Sequence, residues 1–228
     1  GNVYNRETGG LVGLIWKQKV AKGDPRFTAS VNYVADQGEA EDSSKGMFTS
    51  KSKGNTTAQL GYGSKQWGAA LAYRYGQCGA GFGTGFYSSQ GCGDGSSSTT
   101  VESHNYAINA FWKPEEAGFI PSVSAGFGWS DLEGTTEEEL TTWMVGFQWD
   151  KIAGTKHAAS FGFGTPTYVS SQEGADPDEA EIAWEAALKL KVTNNISVIP
   201  SIFYLPETRQ GASDTEQFGG VVQTVFKF

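Results

Sequence analysis

The chemically capable side chains concentrate in three carboxylate clusters, Asp36–Asp42, Asp131–Glu139 and Glu173–Glu181. They offer hard oxygen ligands, but none has the spacing of a calcium loop, so they suit loose attraction of cations rather than a closed metal site. Signatures of catalysis are missing. The chain has no G-x-S-x-G and no Walker loop, and Gly79, Gly81, Gly83 and Gly85 neither fit the dinucleotide fingerprint nor precede a helix. The expectation is a non-enzyme with no cofactor and no metal. Cys78 and Cys92 flank a glycine-rich run, and two cysteines on one flexible loop in an oxidising compartment read as a disulfide. Closing that loop of about 15 residues would stabilise the fold by roughly 3 kcal/mol. Two free thiols or a two-cysteine metal site are the alternatives. A net charge of −8 argues against nucleic acid as a partner.

The elements that must position these residues are strands. The stretch Thr215–Phe228 alternates with period two: Phe218, Gly220, Val222, Thr224, Phe226 and Phe228 share one face, and Gln217, Gly219, Val221, Gln223, Val225 and Lys227 the other. Its length suits a membrane-crossing strand of about 9–11 residues. About eleven such runs can be drawn: Gly10–Lys17, Arg26–Val34, Thr56–Gly63, Trp67–Tyr75, Ser103–Lys113, Pro121–Ser130, Thr141–Asp150, Ala158–Pro166, Glu181–Val192, Ile196–Leu205 and Glu216–Phe228. Glu179–Leu190 has helical propensity, but Ile182, Trp184, Ala186, Leu188 and Leu190 alternate with Glu181, Ala183, Glu185, Ala187 and Lys189, which favours a strand. One face of each run is apolar and aromatic, the other small and polar. Only 38% of the 228 residues are apolar, 13% are aromatic and 31 are glycine. That is lean for a solvent-excluding core and adequate for a barrel whose apolar surface meets lipid. No run of about 18 apolar residues marks a transmembrane helix, and no signal peptide is visible, so a mature protein or a fragment is expected.

The connections alternate in length. Ala35–Asn55, Gly76–Glu102, Asp131–Leu140, Thr167–Ala180 and Pro206–Thr215 fall on one side; Gln18–Pro25, Ser64–Gln66, Pro114–Ile120, Lys151–His157 and Thr193–Asn195 fall on the other. Long external loops and short periplasmic turns are the pattern of outer-membrane barrels, and a sandwich has no reason to keep it. Most acids fall on the long-loop side and most lysines and arginines on the short-turn side. His104 and His157 are expected at opposite ends as solvated loop-edge residues, too far apart to share a metal.

The segment V-T-N-N-I-S-V-I-P-S-I-F-Y-L (Val192–Leu205), with V-V-Q-T-V-F-K-F (Val221–Phe228), resembles the last hairpin of cyanobacterial outer-membrane porins, the surface-layer-homology-domain type related to carbohydrate-selective and iron-uptake porins. The resemblance covers roughly the last forty residues. It implies that the chain end lies in the periplasm and that the terminal aromatic, Phe228 with Phe226 before it, is read by the barrel-insertion machinery. Such porins carry a periplasmic domain before a barrel of more strands. Eleven is odd, while bacterial single-chain barrels have even counts. The chain therefore reads as the C-terminal part of a porin barrel, or a twelfth strand lies within Glu39–Lys53.

The expected fold is all-β: one domain over residues 1–228, an antiparallel transmembrane β-barrel with about 11–12 strands in this chain, part of a larger barrel in the cell outer membrane. The expected function is passive diffusion of small hydrophilic solutes and inorganic ions, iron included. A non-conducting barrel that acts as a scaffold or binds a surface through its acidic loops is the alternative, and a soluble glycan-binding sandwich a third. Expected lumen residues are Arg26, Arg74, Lys113, Gln148, Glu181, Glu185, Lys189, Lys191, Gln223 and Lys227. Asp36, Glu39, Glu41, Asp42, Asp131, Glu133, Glu137, Glu138 and Glu139 are expected to form an acidic outer mouth that gives a mild cation preference. Expected partners are membrane lipid, lipopolysaccharide, permeating solutes and ions, and the insertion machinery; self-association is left open.

Overall fold

The structure, a computed structural model, describes residues 9–35, 46–49, 52–77, 101–116, 118–208, 210–212 and 215–227. Cys78, Cys92, Asp36, Glu39, Glu41, Asp42 and Phe228 lie outside these residues, so the disulfide, part of the acidic mouth and the terminal aromatic do too.

Eleven strands form one antiparallel sheet in sequence order: β1 (Gly10–Lys17), β2 (Arg26–Ala35), β3 (Gly54–Gly63), β4 (Trp67–Gln77), β5 (Glu102–Trp112), β6 (Ser122–Glu133), β7 (Glu137–Trp149), β8 (Ala158–Gln172), β9 (Ala183–Lys191), β10 (Ile196–Leu205) and β11 (Gln217–Phe226). Apart from a single 3₁₀ turn at Ile152–Gly154, the described residues hold no helix. β2 pairs directly with β3 over ten residues, so no strand from the connection between them is inserted there. The segment with helical propensity is the strand β9, because tertiary pairing on both edges outweighs a propensity of a few tenths of a kcal/mol per residue.

The acid-bearing ends depart from expectation. Asp131–Leu140 is no loop: β6 runs to Glu133, β7 starts at Glu137, and the turn is Gly134–Thr136, with Gly134 at φ 80°. β8 likewise continues past Pro166 to Gln172. Proline lacks an N–H, and the wall accommodates it with a bulge: Trp143 faces Thr165 while Thr141 faces Tyr168, so β8 holds an extra residue beside Thr142.

Cross-strand register shows the wall to be strongly staggered. A row that starts at Arg26, the first residue of β2, passes through Gly63, Gly68, Phe111, Ser124, Gly146, Gly162, Glu185 and Phe203 to Gly219, near the start of β11. The row thus begins at the turn end of the sheet and finishes at the loop end. Nine strand steps are crossed, and Gly219 lies seven residues from the turn end of β11 at Phe226. At about 3.3 Å per residue and about 4.8 Å per step, the strands incline by roughly 30° to the line joining their ends, close to the tilt of barrel strands.

Two phenyl rings lie on this row above glycines of the neighbouring strand. A Cβ at Gly68 would meet Phe111 Cε1 at 2.7 Å, and one at Gly219 would clash with the Cζ end of the Phe203 ring. The rings cover backbone that has no side chain of its own and lie along the wall. Gly219→Val is expected to push the Phe203 ring off the wall at a cost of about 1–2 kcal/mol, measured as a lower urea midpoint in detergent.

Candidate functional site: the two faces of the wall

The two faces differ in shape as well as chemistry. On one, Ala107, Asn109, Gly126, Thr142, Met144, Gly164, Glu185 and Phe203 line a hollow of about 710 Å³ that spans six strands, β5 to β10. A second hollow of about 450 Å³ adjoins it toward the turn end, between Lys113, Ser124, Gln148, Asp150, Ser160 and Glu185. A hollow that spans six neighbouring strands makes this the concave face, and the small residues Ala107, Gly126, Gly164, Ser124 and Ser160 leave room for it between larger ones.

The opposite, convex face is aromatic and aliphatic. At the turn end Phe27 and Tyr62 have ring centroids 4.4 Å apart, and Tyr62 meets Trp67 at 5.7 Å. Toward the loop end Tyr73–Tyr106 (5.3 Å) and Tyr106–Trp129 (5.1 Å) continue as a belt across three strands. Farther round the wall, where the stagger has shifted the rows, Phe161, Trp184 and Tyr204 form another such run. Between the belts of β3–β6 lies the row Leu60, Leu71, Ile108 and Phe127, each 45% to 56% exposed. Soluble monomers rarely leave apolar surface this continuous open to water.

Of the expected lumen residues, Arg26, Gln148, Glu185, Lys189, Lys191 and Gln223 have the register of the concave face and are exposed on it. Lys113 and Lys227 follow β5 and β11 at the turn end. Glu181 is misplaced: it precedes β9, and its backbone N–H donates to Glu207 Oε1 at 3.3 Å. Arg74 is on the concave face but wholly buried, so it lines no open channel. It belongs to an enclosed row of that face at the loop end, Arg74–Asn105–Ser130–Leu140, in which the Asn105 amide donates to the Arg74 carbonyl at 3.1 Å. Leu140 packs there on Leu132 and Val169.

Of the described acids, those of β6 and Glu139 lie on the face opposite the hollow. Asp131 and Glu133 continue the convex parity of Phe127 and Trp129, and Glu139 pairs opposite Asp131. Glu102 joins them, opposite Glu133, and accepts the Tyr75 hydroxyl at 2.7 Å. These carboxylates sit just beyond the aromatic belt on the convex face. Strand alternation, extended past the presumed loop boundary, puts them there. Glu138 accepts from Ser171 Oγ at 2.8 Å, and Glu137 from the hydroxyl of Thr135. His104 is not a solvated edge residue: on β5, half-buried, its Nδ1 is 2.8 Å from the Tyr73 hydroxyl. His157 lies at the other end of the wall and accepts from the Lys191 N–H at 3.2 Å. Among the described residues no group of three or more His, Cys, Asp or Glu side chains could hold a metal ion.

Sequence reasoning passed over Asp150. The Lys113 ammonium donates to its Oδ2 at 2.7 Å and the Gln148 amide to its Oδ1 at 2.6 Å. The Lys113 hydrogen bond, seconded by that of Gln148, holds the Asp150 carboxyl below its ordinary 3.8. A lowered pKa stabilises the fold above the ordinary value and loses that contribution as pH falls through the folded value. Because Lys113 is half exposed, the pair is worth at most a few tenths of a kcal/mol. Asp150→Asn is therefore expected to leave stability at pH 7 nearly unchanged and to remove a carboxyl titration below 3.8 from the NMR spectrum.

Gln210 and Glu207, also passed over, tie the loop-end connections together. Gln210 Oε1 accepts from the Val169 N–H at 2.7 Å, and its Nε2 donates to the Val169 carbonyl at 2.8 Å and to the Asp178 carbonyl. Glu207, 5% exposed, accepts from the N–H groups of Glu181 and Gly211. The Gln210–Val169 and Glu207–Glu181 contacts join residues 41 and 26 apart, too far for sequence to pair. Comparison of the chain with protein-family models, with curated proteins and with solved structures finds no match.

Proposed function

We propose that the wall is part of a transmembrane β-barrel of the outer membrane that passes small hydrophilic solutes and inorganic ions by diffusion. The observation that carries this reading is the convex face, where belts of aromatics flank half-exposed aliphatics, while the concave face of the central strands mixes small and polar residues with a few large ones such as Phe111 and Met144. A bilayer requires such an inside-out arrangement, and water penalises it. The roughly 30° inclination supports the same reading.

Burial of the Arg74–Asn105–Ser130–Leu140 row favours the rival, a barrel closed at its loop end that serves as a scaffold or surface-binding protein. Conductance separates the two. Reconstitution into planar bilayers should give discrete, ohmic current steps; a membrane-integrated protein without current leaves the rival standing, and a protein soluble without detergent removes both.

The placement of charge also revises the expected ion preference. Arg26, Lys189 and Lys191 face the concave side and Lys17 shares its register, against Glu185, while Lys113 is matched by Asp150. Asp131, Glu133 and Glu139 face away. A low-dielectric channel focuses the field of its own lining, so the pore should mildly prefer anions at low salt, and the preference should fade at 1 M, where the Debye length is about 3 Å. Lys189→Gln with Lys191→Gln should shift the reversal potential toward cations, and Asp131→Asn with Glu139→Gln should leave it unmoved. The opposite pattern would place the constriction at the acidic end.

A further inference from the structure

An interfacial belt accounts for tyrosine and tryptophan, whose rings are apolar and whose polar tips stay wet, but not for histidine. His104 is one of two histidines in the chain, and it stands within the loop-end belt of the convex face. Its direct neighbour on β4 is Tyr75, with ring centroids 5.2 Å apart, and the diagonal one is Tyr73, whose hydroxyl lies 2.8 Å from Nδ1. Asp131 stands opposite it on β6, a carboxylate placed to steady an imidazolium. The Tyr75 hydroxyl in turn donates to Glu102 Oε2 at 2.7 Å. Two neighbouring phenols of β4 are thus each hydrogen-bonded to a base on β5.

The rings continue beyond this pair of bonds. Tyr73 stands directly opposite Tyr106 at 5.3 Å, and Tyr106 stacks on Trp129 at 5.1 Å with the planes 16° apart. Trp129 is 41% exposed, so the far end of the row is open to its surroundings. Phenol and indole are, with thiols, the side chains that give up one electron most readily. Loss of an electron makes a phenol strongly acidic, so its oxidation away from water needs a place for the proton. A neutral imidazole with its own proton on Nε2 offers that place at Nδ1.

We infer that Tyr73 and His104, with Tyr106 and Trp129, form a one-electron donor site that quenches peroxyl radicals arriving at the convex face. An electron passes from Tyr73 through Tyr106 and Trp129 to the peroxyl radical. The phenolic O–H bond breaks as its proton moves to His104 Nδ1, and the imidazolium gives a proton to the peroxide anion. In sum, one phenol and one peroxyl radical become one phenoxyl radical and one hydroperoxide, with His104 restored. A second peroxyl radical takes a hydrogen atom from Tyr106 and leaves as a second hydroperoxide. The two phenoxyl radicals couple at their ortho carbons, and the ortho hydrogens return to the oxygens. Tyr73 and Tyr106 end joined by a carbon–carbon bond between β4 and β5. That the radicals arise in lipid rests on the membrane reading above; the chemistry of the site does not.

The test uses the full chain with liposomes of a saturated phospholipid, which has no oxidisable acyl chain of its own. A lipid-soluble or a water-soluble azo initiator supplies the peroxyl radicals. The expected product is a Tyr73–Tyr106 link, read by dityrosine fluorescence and by a joined peptide pair two hydrogens lighter in the mass spectrum. Freeze-quenched wild-type protein should show a phenoxyl signal by electron paramagnetic resonance, and its absence overturns the inference. Tyr73→Phe should abolish the link. His104→Gln keeps an acceptor for the hydroxyl but no base, and should slow the link at least about tenfold at an unchanged urea midpoint. Tyr62→Phe removes a more exposed phenol, in the turn-end belt between Phe27 and Trp67, and should leave the link unmoved. A wild-type rate in His104→Gln, or oxidation of Tyr62 as fast as that of Tyr73, overturns the inference. A link formed with the lipid-soluble initiator places the source in lipid. A link formed with the water-soluble one alone leaves the site standing and sinks the membrane reading.

Discussion

Gly164→Val is expected to break the wall between β7 and β8 and to cost at least about 3 kcal/mol, at or beyond the upper end of overpacking penalties. A Cβ at this position would overlap the Trp143 carbonyl oxygen and stand 2.7 Å from Met144 Cα. Both are backbone atoms of the paired strand, so no rotamer change relieves the clash. The site also borders the bulge where Thr165 and Tyr168 change register against β7, and a displacement there would propagate into the Pro166 irregularity. Two residues away, on the same face, Gly162 is the control: the nearest atom to its Cβ would be the Val145 carbonyl oxygen at 3.7 Å, an ordinary contact. Gly162→Ala should therefore change stability by less than about 1 kcal/mol. Urea unfolding of refolded protein in detergent, followed by tryptophan fluorescence, measures both. Equal midpoints for the two variants would show that β7 and β8 are not packed as described.

Gln210→Ala should cost about 1–2 kcal/mol and expose one identifiable amide. β9 begins at Ala183, opposite Gly164, so among the described residues the loop-end half of β8 has no strand on that edge. The Gln210 side chain stands in for one: it accepts from the N–H of Val169 and donates to its carbonyl, as a facing residue of a ladder would. The part-buried setting lets water recover some of the loss, which keeps the cost below that of orphaning two buried groups. Gln210→Glu is the sharper variant, since it keeps an acceptor for the Val169 N–H but sets a carboxylate against the carbonyls of Val169 and Asp178. The Val169 amide should lose hydrogen-exchange protection in the alanine variant and retain more of it in the glutamate variant, although the latter is no more stable.

Alternation made the strands legible and composition blurred their ends. Gly10–Lys17 and Ile196–Leu205 match the structure at both ends because turn residues flank them. The second holds even across Pro200, which pairs with Val222 of β11 while the β9 ladder skips Ile199 and Pro200, the place for a residue without an N–H. The acid-rich ends misled: Asp and Glu are depleted in strands, so Asp131–Glu139 reads as a loop, yet in a wall that outruns its apolar band those positions remain paired and merely change from aromatic to charged. The face taken by residues on regular strands, such as Glu185 and Lys189, was legible because parity alone assigns it. Whether Arg74 is open or enclosed was not, since enclosure depends on what stands above the wall, and parity is silent on that. Lys113–Asp150 and Gln210–Val169 join residues 37 and 41 apart in sequence, beyond any local pattern.

Neighbours in the sheet are always neighbours in the chain. Each strand can therefore find its partner by closing one connection, and the entropy lost grows only as the logarithm of that connection's length. Nucleation needs no particular place: any hairpin, for instance β3–β4 with its Ser64–Gln66 turn, can form first and recruit the next strand on either side. The exposed convex face would make such a growing sheet prone to aggregate in water. In the proposed membrane barrel, handing each new hairpin to lipid as it pairs would avoid that hazard and leave closure of the wall as the single slow, non-local event.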